Sequence, residues 1–143
     1  MNGFRIYKCS DKVEIKIDSL SIFVSPMTYH QKSQLQPLMI SAANGNMDDA
    51  MKAVMQAMKF CLKGIRGVSV QDDEGNDVPY VLEFNDNEVT EECLNDILNM
   101  PISQKISTIC TSLMSGLSSR ICDPNGQPIE GIEVVGKVIE GKK

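Results

Sequence analysis

The sequence predicts an α+β domain with an N-terminal antiparallel β-hairpin, a central amphipathic helix, a small acidic hairpin, two C-terminal helices and a flexible tail. Three observations carry this class. Apolar and polar residues alternate between positions 13 and 24, as in a strand with one buried face. Apolar residues between 47 and 62 recur instead at three- and four-residue steps, the period of one helical face. The 143 residues, 42% apolar and 23% charged, suit one domain that buries a sustaining core.

Taken in order, a first alternation at 4–8 (Phe4, Ile6) ends in the turn-prone Cys9-Ser10-Asp11-Lys12. Val13, Ile15 and Ile17 then point one way while Glu14, Lys16 and Asp18 point the other, and residues 19–24 form a second strand or extend the first. Pro26 forbids pairing in a central strand, and Thr28 can cap a helix over 29–43. Pro37 removes one backbone donor and is expected to split that helix into two short pieces. A second helix over 47–63 starts at Asn46, carries Asp48 and Asp49 where the helix dipole favours negative charge, and carries Lys59 and Lys63 at the opposite end. Gly64 and Gly67 are expected to stop it.

Val68 to Phe84 reads as a hairpin around Glu74-Gly75-Asn76, ended by Asn85-Asp86-Asn87. Thr90 or Asn87 caps a short helix through Cys93, Leu94, Ile97 and Leu98, limited by Pro101. Ile102, Ile106, Ile109, Leu113 and Leu117 mark a last helix closing near Gly116 to Ser119. One domain over 1–118 is thus expected, with a C-terminal extension over 119–143 that is flexible or holds a late strand at 132–139.

Several function classes fail on chemistry. A net charge of −5 and a pI near 4.8 oppose duplex nucleic acid, whose phosphates need clustered Lys and Arg. No apolar run approaches the roughly 20 residues that span a bilayer. The five cysteines are odd in number, form no CxxC pair, and no secretory leader opens the chain, so reduced thiols in a cytoplasm are expected. His30 is the only histidine and has no ligand or base partner at useful spacing. No GxSxG elbow and no phosphate-cradling glycine loop occurs. Asp72-Asp73-Glu74-Gly75-Asn76-Asp77 invites a calcium reading, but the loop position that must be Gly is Asp77 and the twelfth is Glu83, so the spacing fails. The sequence therefore assigns no catalytic residue, no metal ligand and no cofactor, and points to protein binding.

Two features remain as candidate binding sites. Asp72, Asp73, Glu74, Asp77, Glu83, Asp86, Glu88, Glu91, Glu92 and Asp96 form a window free of Lys and Arg that holds about half of the 19 acids. Such a window is either a solvated face or a match for a basic partner. Met47, Met51, Met55 and Met58 form a stripe that is either core or an adaptable groove for a partner.

The order of parts adds a resemblance. A β segment precedes Ser25-Pro26-Met27-Thr28-Tyr29 entering a helix, an amphipathic helix ends in Gly64-Ile65-Arg66-Gly67-Val68, and an acidic hairpin precedes Asn95-Asp96-Ile97-Leu98-Asn99-Met100-Pro101. Over roughly residues 13–118 this resembles the tail assembly chaperones of long-tailed bacteriophages. The resemblance implies a non-enzymatic factor that binds the aggregation-prone tape measure protein and delivers it to the tail tube protein without ATP, in the host cytoplasm, with self-association among its contacts. A structural virion protein of the tail or neck is the alternative. A third is a metal-dependent enzyme or host-directed regulator using the carboxylates from Asp72 to Asp96.

Overall fold

The alternation at 13–24 becomes a hairpin. In the computed structural model, which describes residues 6–117, 121–122 and 126–139, β1 (Val13–Ile17) pairs antiparallel with β2 (Leu20–Val24). Residues 19–24 are thus mostly a second strand. Asp18 turns the chain with a φ of 53°, which its short polar side chain tolerates better than most. Residues 6–8 carry no strand, and Phe4 lies outside the described residues.

The first helix, α1 (Tyr29–Ala43), opens with a capping box: the Gln31 amide donates to the Thr28 hydroxyl, and the Thr28 amide donates to the Gln31 side chain. Pro37 lies inside α1 and does not split it. The donor it lacks would have bonded the Ser33 carbonyl, and Ser33 and Pro37 are both exposed, so water can serve that carbonyl.

The second helix, α2 (Met47–Cys61), starts where the Asn46 side chain accepts from the Asp49 amide. It is not stopped by a glycine. Leu62 turns extended while its amide still bonds the Met58 carbonyl, and the chain enters β3 (Leu62–Arg66) with no loop between. Gly64 instead lies in β3 opposite Phe23, where a Cβ would stand 3.1 Å from the ring. Gly67, with a φ of +91°, follows the strand's end.

Beyond it, β4 (Ser69–Gln71) and β5 (Asp77–Pro79) form the acidic hairpin. The extended run expected to Phe84 is shorter. Phe84 belongs to β6 (Phe84–Asn85), which pairs with β7 (Glu88–Val89), and Asp86 and Asn87 between them both take positive φ, the pattern of a tight hairpin turn. Thr90 caps α3 (Glu91–Leu98) by accepting from the Cys93 amide. The last helix, α4 (Ser103–Ser112), runs on into one 3-10 turn through Ser115. Ser118 and Ser119 lie outside the described residues.

Residues 132–137 are a strand and not a flexible tail. β8 (Ile132–Lys137) pairs antiparallel with β1, giving a four-stranded sheet of order β3-β2-β1-β8. Its register slips opposite Glu14 and Ile15, with Val135 as the extra residue. Ile132 and Val134 pack on the core. One face of the sheet (Val13, Ile15, Ile17, Ile22, Val24 and Leu62) is buried in one cluster with Leu35, Met58, Leu94, Ile97, Ile106, Ile109 and Leu113 of the helical layer. The other face stays polar: Arg66 pairs with Glu14 and its guanidinium lies 5.4 Å from the Phe23 ring centroid.

Candidate partner-binding surfaces

The methionine stripe divides along α2. Met58 is fully buried and Met55 is half-buried, whereas Met51 is 57% and Met47 74% exposed. The helix therefore enters the core at its C-terminal half, through Ala53, Ala57, Met58, Phe60 and Cys61. Its first turns stand out of the core, at the end of the helical hairpin where Asn44-Gly45-Asn46 joins α1 to α2. Ile40, near the end of α1, is 57% exposed.

The exposed side of α1 differs from an ordinary surface helix. Over its 15 residues the only formal charge is Lys32, although a solvated face is normally charged. Ser33, Gln36, Pro37, Ile40, Ser41, Asn44 and Asn46 line an open groove of about 670 Å³ without a charged residue. Depletion of charge around apolar side chains is the compositional mark of an interface centre.

The acidic window does not converge on one site. Asp72 is occupied locally, accepting from the Glu74 and Asn76 amides at 2.9 Å, while Asp73, Glu74 and Asp77 are exposed around the hairpin tip. Glu88 lies half-buried on β7, and Glu91 and Glu92 occupy the exposed first turn of α3. Asp96 accepts the Tyr80 hydroxyl at 2.7 Å. Burial, with bonds to Cys93 and Asp96, drives the Tyr80 phenol far above its ordinary pKa. Among the described residues no group of three or more His, Cys, Asp or Glu could hold a metal. His30 is exposed and contacts Gln34 across one turn at 2.9 Å.

The thiols at 61, 93 and 110 are core groups. Cys61 and Cys110 are fully buried and Cys93 nearly so, while Cys9 is exposed. Burial pushes the Cys61 thiol up to about 12 and the Cys110 thiol well above its usual value. Between pH 9 and about 12 the unfolded chain releases the Cys61 proton while the native chain retains it, so stability falls as pH rises through that window. Urea midpoints are expected to drop from pH 8 to pH 11 and to drop less in Cys61→Ala; equal drops would contradict the burial of this thiol.

One basic feature has no local sequence signal. Lys12, just before β1, and Lys63, in β3, line a concave pocket of about 270 Å³ with Ser10, Thr28, Gln31 and Asn87. The Lys63 ammonium donates to the Asn87 carbonyl at 2.8 Å. Its pKa is held below the ordinary lysine value chiefly by burial, with the charge of Lys12 adding to the effect, against Cys61 and Glu88. Comparisons of the chain with protein-family models, curated proteins and solved structures return no match.

Proposed function

We propose that this chain is a non-enzymatic assembly factor that holds an apolar helical segment of another protein against the end of the α1–α2 hairpin. The observation that carries the reading is the uncharged outer side of α1, with exposed Ile40 beside its groove and exposed Met47 and Met51 at the same hairpin end. A helix laid there gains apolar contact through unbranched side chains that repack around different residues. The likeness in order of parts to phage tail assembly chaperones makes the tape measure protein the partner of this proposal. Such a protein is long, helical and aggregation-prone, so covering its apolar face keeps it soluble until the tail tube forms.

Co-expression with a tape measure protein encoded beside the gene tests the reading. The wild-type chain is expected to keep that protein in the soluble fraction and to co-purify with it. Ile40→Asp combined with Met51→Asp is expected to weaken co-purification by at least about tenfold, since each change places a charge where an apolar contact is desolvated. Both positions are exposed, so the variant should melt near the wild-type temperature. Equal co-purification by variant and wild type would overturn the proposed surface.

A further inference from the structure

The acidic hairpin tip and the two-lysine pocket lie at opposite ends of the main sheet. Lys12 precedes β1, Ser25 follows β2 and Lys63 lies near the start of β3, so the pocket sits where β1 begins and β2 ends. The acidic hairpin instead departs after Gly67, whose backbone lies against Ser19 and Leu20 at the β1–β2 turn. Five-residue strands separate the two ends by roughly 17 Å. The two surfaces are also opposite in chemistry. No carboxylate lines the pocket, and no lysine or arginine occurs from Asp72 to Asp96. The amides at the start of α1 play no part, because Thr28 and Gln31 already cap that helix reciprocally.

From this arrangement we infer that the pocket at Lys12 and Lys63 receives the acidic hairpin tip, Asp73, Glu74 and Asp77, of a second copy of this chain. The contact is heterologous: each copy offers a tip at one end and a pocket at the other. Copies therefore join head to tail and either close into a ring or continue as a filament. Partly buried ammonium groups bind carboxylates more strongly than fully solvated ones do, and high salt weakens the contact. The inference does not depend on the apolar surface at Ile40 and Met51, which faces a different partner.

Sedimentation velocity of the full chain at low and high salt tests it, with two charge-reversed variants. Wild-type protein is expected to sediment faster as its concentration rises at low salt, and to return to monomer at high salt. Lys12→Glu with Lys63→Glu removes the pocket, and Asp73→Lys with Glu74→Lys removes the tip. Each is expected to weaken self-association by at least about tenfold. An equimolar mixture retains one intact pocket and one intact tip, so it should form a heterodimer and nothing larger. Lys12→Glu alone, at an exposed position, serves if the double pocket variant melts early. A wild-type chain that stays monomeric overturns the inference. So does self-association that survives both variants, or a pocket that gains thermal stability from inorganic phosphate through Lys12 and Lys63 while the chain stays monomeric. Ile40→Asp with Met51→Asp should leave self-association unchanged, which separates failure here from failure of the proposed function.

Discussion

Ile22→Ala is expected to lower the unfolding free energy by about 2–5 kcal/mol, with little change in the denaturant slope. Ile22 is fully buried at the centre of the sheet, opposite Ile15 on one side and Ile65 on the other. Truncation removes the apolar contacts and leaves a cavity between strands held in register by their own hydrogen bonds, so the site cannot collapse well. Small domains are stable by only about 5–15 kcal/mol, and one such change takes a large share. Val135→Ala, on an exposed side chain of β8, is the control and should stay within about 0.5 kcal/mol. Equal urea midpoints for the two variants would show that the inward face of the sheet is assigned to the wrong side.

Gly67→Ala carries the second large effect, for a backbone reason. Gly67 has a φ of +91°, and a Cβ there would stand 2.8 Å from the Ser19 carbonyl oxygen and 3.1 Å from the Leu20 Cα. Both neighbours are backbone of the β1–β2 hairpin, so neither can swing aside. Left-handed strain and forced displacement together are expected to destabilise by about 3 kcal/mol or more. Gly45, in the connection between α1 and α2, separates the two contributions: its φ is +96° but a Cβ there meets nothing within 4 Å. Gly45→Ala should therefore lose about 1 kcal/mol from strain alone. Thermal melts of the two alanine variants compare them directly, and equal shifts would remove the clash from the account.

What could be read in advance was local. The period-two run at Val13, Ile15 and Ile17, the caps at Thr28, Asn46 and Thr90, and the helical spacing of Ile106 and Ile109 each depend on residues a few positions apart. Pro37 misleads because its effect depends on whether the carbonyl it deprives faces water, and that is fixed by how α1 packs on its neighbours. Gly64 misleads in a related way. A glycine beyond a helix resembles a stop, but Phe23 on the adjacent strand needs the space a side chain would fill. The divided methionine stripe follows from where α2 leaves the core, and spacing alone cannot place that point. Lys12 and Lys63 gave no motif, since the fold brings them together from the start of the first strand and the start of the third.

The irregular register of β8 bears on how this protein avoids fibrils. An outer strand that is flat and apolar invites a further strand from any unfolded chain nearby, and a protein that gathers around aggregation-prone segments meets many such chains. Here the outermost strand of the described sheet carries an extra residue at Val135, a glycine at 136, and charges at Glu133 and Lys137. The kink breaks the even ladder that an incoming strand would need. Uncontrolled sheet growth is thereby discouraged, and association is left to surfaces that select by side chain.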